Sequence, residues 1–238
     1  MRQKLQTRQT GAAKAIKGAE MNQVRAVGFL AVMLFATITN AQQSTIPSYD
    51  TARDTYFWQI FYVFGGETAY CGVEFGPQMS LSITGQGLTV EHAYPAQWMA
   101  ESFGCENRNT CANPEYGFAE ADLHNLWPAL GRINSSRGDL PYGTIEPDGN
   151  RFVEFCPDYE RSSGSDAVVE PRDEVKGDLA RSVLYMSHAY GFPLHGLDEL
   201  LIDWHRMDQP DETERWRNYV IERLQGNRNP FIDGMLLW

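Results

Sequence analysis

Residues 42–238 predict a single α+β domain, rich in helix and stabilised by disulfides. Three observations point there. Apolar stripes at helical spacing occupy the last third of the chain. A short β-like run, 88–90, stands between turn signals nearer the middle. Four cysteines lie behind a leader that marks the chain for export. At 238 residues, 42% hydrophobic and 21% charged, the chain can bury a sizeable core and is neither disordered nor collagen-like.

The leader comes first. Residues 1–41 hold six basic side chains and one acid, Glu20. Met21 opens a second, self-contained pattern: a basic stretch to Arg25, then an apolar run over 26–38, then small residues before Gln42. This is a secretory signal peptide in form, with cleavage expected after Ala41, and residues 1–20 read either as an overlong start ahead of Met21 or as an extended basic region. The rival is a membrane anchor, but 13 apolar residues are too few for a hydrocarbon core that needs ~20. Without the leader the net charge moves from −11 to −16, and 13 of the 14 remaining basic residues are arginine. So acidic a composition argues against a nucleic-acid partner, because such proteins usually carry a basic footprint.

Along the rest of the chain, residues 42–54 read as a loose polar lead-in. The aromatic stretch 56–64 fits helix or strand. Gly85-Gln86-Gly87 is a turn signal that feeds the Leu88-Thr89-Val90 strand. The strand runs into Glu91-His92 and stops near Pro95. Stretches 103–117 and 136–173 read mostly as loop. A helix starts near Pro171, with Val175, Leu179, Val183 and Met186 on one stripe and Gly191 as its stop. Leu197, Leu200, Leu201 and Trp204 make a second stripe. Asp211 with Glu214 forms a capping box for a third helix, whose stripe is Trp216, Val220 and Leu224, ended by Gly226. Cys71, Cys105, Cys111 and Cys156 allow three disulfide connectivities. Cys105 with Cys111 and Cys71 with Cys156 is one of them. A zinc site is the weaker alternative, because no CxxC pair is present.

Chemistry concentrates in two places. His188, His195 and His205 read as packed or surface histidines. His92 follows Glu91 directly, and an adjacent carboxylate and imidazole can divide the work. The carboxylate suits a hard cation, and the imidazole suits proton abstraction near neutral pH. One difficulty is that strand neighbours point to opposite faces. Asp122, His124 and Asn125 sit among apolar and aromatic residues, as a site wall or a buried hydrogen-bond network.

Several segments together resemble the endonuclease I family of periplasmic and secreted bacterial nucleases, of the ββα-metal (His-Me finger) type. They are Glu91-His92-Ala93-Tyr94-Pro95, Asp122-Leu123-His124-Asn125-Leu126, Gly131-Arg132-Ile133-Asn134, Lys176 to Arg181, and Gln225 to Phe231. The resemblance implies that residues 42–238 are one nuclease domain cutting DNA, with RNA as a further substrate, to 5′-phosphate and 3′-hydroxyl ends. It gives His92 the role of general base. Glu91 and Asn134 become ligands of Mg²⁺, with Ca²⁺ or Mn²⁺ as alternatives. Arg108, between Cys105 and Cys111, matches an arginine that binds the phosphate near the cut. Asp122, His124 and Asn125 would brace the β element and orient His92. Arg132, Arg137 and Arg181 are candidates for further phosphate contacts. Lys176 fits a backbone contact or an ion pair equally. The expected protein is a periplasmic or secreted monomer without a membrane segment. Alternatives are a nucleic-acid-binding or uptake module that has lost catalysis, and a purely structural disulfide-linked domain. The acidity then bears on salt: activity should tolerate or gain from moderate to high ionic strength.

Overall fold

The computed structural model describes residues 42–81, 86–146, 152 and 154–234. The leader, its cleavage point and Gly85 of the turn signal lie outside the described residues. The fold mixes helices with three small antiparallel sheets and carries two disulfides.

The lead-in is firmer than its polar composition suggests. Gln43 is buried and donates from Nε2 to the carbonyl of Ile46 at 2.8 Å. Ser48 caps α1 (Tyr49–Thr51), which winds on as a π-helix over Ala52–Phe61. The aromatic stretch is therefore helical up to Phe61, and Phe57 and Trp58 are buried in a core cluster with Ile46, Val90, Leu123 and Leu126. β1 (Gly66–Glu67), β2 (Glu74–Gly76) and β3 (Ser80–Leu81) make a three-stranded sheet.

The centre of the molecule is β4 (Leu88–His92) paired with β5 (Leu126–Leu130), followed without a loop by α4 (Gly131–Arg137). Pro128 hides β5 in the sequence, because proline cannot donate to a ladder. It is tolerated because Val90 and Pro128 face each other as a pair whose backbone groups turn outward. The outward Pro128 carbonyl accepts from the Ala69 amide at 2.8 Å. Between these strands α2 (Ala96–Ser102) and α3 (Pro114–Glu120) form, the latter with Asn113 as its cap and proline at its first position. Part of the expected loop 103–117 is thus helical. β6 (Glu160–Arg161) and β7 (Val169–Glu170) pair within the second loop-like stretch.

The C-terminal helices α5 (Lys176–Tyr190), α6 (Asp198–Met207) and α7 (Glu212–Gln225) form where the stripes predict. Gly191 and Gly226 close α5 and α7 at φ 73° and 90°, a backbone conformation glycine adopts without strain. The capping box of Asp211 and Glu214 is present. The face of α7 is not the predicted one. Trp216 is 49% exposed, and the buried side carries Glu214, Arg217, Asn218, Ile221 and Gln225. Most of these polar groups are hydrogen-bonded, and Arg217 Nη1 is left without a hydrogen-bond partner among the described residues. Arg217 donates to the carbonyls of Leu123 and Leu126, Asn218 accepts from the amide of Asn229, and Gln225 reaches Asp122. A buried polar face costs little where its groups are hydrogen-bonded, and it leaves no apolar period to read.

The disulfides are Cys71–Cys156 and Cys105–Cys111. All four thiols are used, so the zinc alternative falls. Among the described residues no helix is long and apolar enough to cross a membrane.

Candidate active site

Glu91, His92, Arg108, Glu120, Asn134 and Arg137 line one polar cavity of about 440 Å³. The strand-alternation difficulty dissolves here. β4 has one hydrogen-bonded neighbour, so its other edge is open. Asn134, on α4, closes against that edge by donating from Nδ2 to the outward carbonyl of Val90 at 3.0 Å. Side chains from both faces of β4 then border the same space.

Glu91 is 2% exposed. Its Oε1 accepts from the Tyr70 hydroxyl at 2.7 Å and lies 3.1 Å from the Arg137 guanidinium. Burial raises its pKa, while Arg137 and Tyr70 act in the opposite direction. Arg137 also donates to the carbonyls of His92 at 3.0 Å and Ala93 at 2.7 Å, with its guanidinium over the Tyr142 ring. It ties the end of α4 to the end of β4. The sequence marks it for phosphate, but its two terminal nitrogens are taken up by a buried brace, and Nε has no hydrogen-bond partner among the described residues.

His92 is buried, with Tyr49 packed against its ring at 5.0 Å between centroids. Its Nε2 lies 2.9 Å from the carbonyl of Glu120. A carbonyl only accepts, so Nε2 carries the hydrogen. In the neutral ring Nδ1 is then the free base. Burial, opposed by that hydrogen bond, lowers the pKa to about 4, so the ring is neutral near pH 7.

Arg108 is exposed on a 3₁₀ turn, Arg108–Thr110, inside the loop closed by Cys105–Cys111. Asn107 caps the turn, and the Arg108 amide donates to Gln97 of α2 at 3.2 Å. No ion pair engages Arg108 among the described residues, in contrast to Arg53 and Arg228.

The other expected residues divide. Asp122 accepts from Tyr185 at 2.7 Å, Tyr190 at 2.8 Å and Gln225 at 2.7 Å. His124 contacts the Asn227 carbonyl at 3.3 Å and packs on Tyr185. Asn125 holds both backbone groups of Tyr94, at 2.7 Å and 3.0 Å. Asn125 therefore braces the turn after β4, while Asp122 and His124 tie the turn before β5 to α5 and to the end of α7 and the segment after it, and none of these bonds reaches the His92 ring. Arg132 is exposed and lies over the rings of Phe152 and Phe155, off the cavity wall. Arg181 is fully buried and bidentate to Glu214, at 2.7 Å and 2.6 Å, and also pairs with Asp178. It joins α5 to α7 and presents nothing to a phosphate. Lys176 is paired with Glu170 and Asp173. Tyr49, Tyr70 and the Glu120 carbonyl escape sequence reading. Tyr70 and Glu120 lie 21 and 28 residues from their partners, beyond any local spacing.

A neutral imidazole, a carboxylate, a carboxamide and a solvent-facing guanidinium thus border one cavity of a mixed helix-and-sheet protein. The endonuclease I profile matches residues 35–235, and the chain belongs to the endonuclease I family. It is 33% identical over 150 residues to an extracellular deoxyribonuclease of Aeromonas hydrophila, covering 60% of this chain and 64% of the relative. It is 35% identical over 131 residues to an extracellular ribonuclease of Bacillus subtilis (strain 168), covering 47% and 43%. With an Endonuclease-1 of Buchnera aphidicola subsp. Baizongia pistaciae (strain Bp) it shares 31% identity over 147 residues, covering 60% of each. The chain thus spans between 43% and 64% of the length of these relatives.

Proposed function

We propose that this chain is a secreted or periplasmic, metal-dependent, sequence-nonspecific endonuclease of the ββα-metal type, acting on DNA and also on RNA, with residues 1–41 as its leader. One observation carries the reading. The His92 base is held neutral in a fixed tautomer, in the same cavity as Glu91, Asn134 and Arg108. The extracellular and periplasmic location of named relatives supports the compartment.

The residues present fit Mg²⁺. Glu91 offers a carboxylate, and Asn134, on the cavity wall with its Nδ2 committed to Val90, retains Oδ1 as a neutral oxygen donor. Two protein oxygens suit an ion that keeps several waters. When bound, Mg²⁺ would supply charge stabilisation for the phosphorane-like transition state and the departing 3′ oxygen. His92 Nδ1 takes a proton from water, whose oxygen attacks phosphorus as the bond to the 3′ oxygen breaks. The alkoxide gains a proton from solvent, leaving 5′-phosphate and 3′-hydroxyl ends. Arg108 neutralises the phosphate at the cavity mouth. Arg137 opposes the burial that raises the Glu91 pKa and so favours its ionised form.

The test is digestion of plasmid DNA and of RNA in Mg²⁺, with and without EDTA, beside His92→Ala. Wild type should cut, EDTA should stop it, and His92→Ala should lose at least ~100-fold in rate. Binding without cleavage by wild type would instead favour a nucleic-acid-binding or uptake module.

A further inference from the structure

The exposed strip of α7 reads Glu212, Arg215, Trp216, Tyr219 and Arg223. Trp216 and Tyr219 are 49% and 50% exposed. Single exposed aromatics are ordinary, but two within one helical turn form a patch. Their rings are held in place. Phe61 meets Trp216 edge-on at 5.9 Å between centroids. Arg223 lies 5.4 Å from the Tyr219 ring centroid and donates to its hydroxyl at 3.3 Å.

Charge says what the patch fits. Residues 42–238 carry −16, and Arg53, Arg172, Arg181, Arg206 and Arg228 are each paired with an acid. Arg215 and Arg223 have no ion pair among the described residues, although both are exposed. The one acid on the strip, Glu212, sits in the first turn, where the helix dipole favours it. Two uncompensated guanidinium groups flanking two fixed rings match a ligand with alternating anionic groups and flat faces. None of these residues lines the cavity that holds His92.

We infer that this face of α7 is a second nucleic-acid contact, distinct from the cleavage cavity. It takes single-stranded DNA or RNA by stacking bases on Trp216 and Tyr219 while Arg215 and Arg223 meet the phosphates. A duplex keeps its bases stacked on each other and cannot use the rings. The inference rests on the nuclease reading above, and the test separates the two. Binding of a labelled 20-nucleotide single strand and of the matching duplex is measured in EDTA by fluorescence anisotropy. Cleavage in Mg²⁺ is measured in parallel.

Trp216→Ala with Tyr219→Ala should weaken single-strand binding about tenfold or more and raise KM on single strands, with kcat and duplex affinity unchanged. Arg215→Gln with Arg223→Gln should make the logarithm of single-strand affinity less dependent on log salt by about 1.4. All four side chains are exposed, and an unchanged melting temperature confirms that the variants fold. Unaltered single-strand affinity and KM in variants of an active enzyme overturn the inference and leave the nuclease reading intact. A wild-type dimer that Trp216→Ala splits without changing oligonucleotide affinity also overturns it, in favour of a second copy of the chain. A wild type that neither binds nor cuts nucleic acid removes both.

Discussion

At Arg137 one guanidinium meets the Glu91 carboxylate and the carbonyls of His92 and Ala93. A buried carboxylate without such a partner would neutralise, and a neutral acid is a poor ligand for a hard cation. His124 shows the converse case, a base kept neutral. Burial lowers its pKa to about 4, against the Asp122 charge and the bond to Asn227. In the unfolded chain the imidazole titrates near ~6.5. The folded state therefore binds fewer protons between those values. The stability His124 contributes is full above pH ~6.5 and is lost as pH falls toward 4, by at most about 1.4 kcal/mol per pH unit. His124→Gln cannot titrate. It should destabilise the protein at pH 7, and the gap to wild type should narrow steadily down to pH 4. Urea unfolding at a series of pH values measures this. A gap that stays constant would mean that His124 is not held neutral by the fold.

Cross-links divide labour between elements. Cys71–Cys156 spans 85 residues and ties the chain after β1 to the stretch before β6, while Cys105–Cys111 spans 6. Loop entropy assigns the first about 4–5 kcal/mol and the second about 2. Cys71→Ser with Cys156→Ser should therefore cost more stability in guanidinium unfolding. Cys105→Ser with Cys111→Ser should cost less stability but weaken cleavage, because it frees the turn that presents Arg108. Full kcat/KM in that second variant would detach the loop from the site. Elements also show what a sequence can and cannot convey. α5 and α6 bury the apolar stripes that announce them. The ends of α7 are equally clear, because Asp211, Glu214 and Gly226 act locally. Its inward face is not, because Arg217, Asn218 and Gln225 are buried by partners remote in the chain. β5 is masked by Pro128, whose tolerance depends on an outward-facing pair and on Ala69. In the site, the Glu91-His92 pair stands out as a dipeptide. The fates of Arg137 and Arg181 are fixed by Glu91, 46 residues before the first, and Glu214, 33 residues after the second.

Across the whole molecule, function and net charge oppose each other. With −16 over residues 42–238, the far field repels a polyanion. Pairing deepens the contrast, because Arg53, Arg172, Lys176, Arg181 and Arg228 are occupied by acids, while Arg108 stands open at the cavity. Attraction is thus short-ranged and repulsion long-ranged, and salt separates ranges. The screening length falls from ~30 Å at 0.01 M to ~8 Å at 0.15 M. That change removes distant carboxylates from the balance, while a guanidinium touching phosphate keeps much of its contact. The kcat/KM for nucleic-acid cleavage should therefore hold or rise as NaCl increases from 0.01 M to about 0.15 M, and decline only when direct contacts are themselves screened. Neutralising distant acids should flatten that rise. Replacing Asp166 by Asn and Glu199 by Gln, both exposed, off the cavity wall and outside α7, should improve cleavage at low salt and do little at about 0.15 M. Initial rates at fixed Mg²⁺ across a salt series measure both effects. A steady fall in activity from the lowest salt upward would show that the local arginines, not the acidic field, govern encounter.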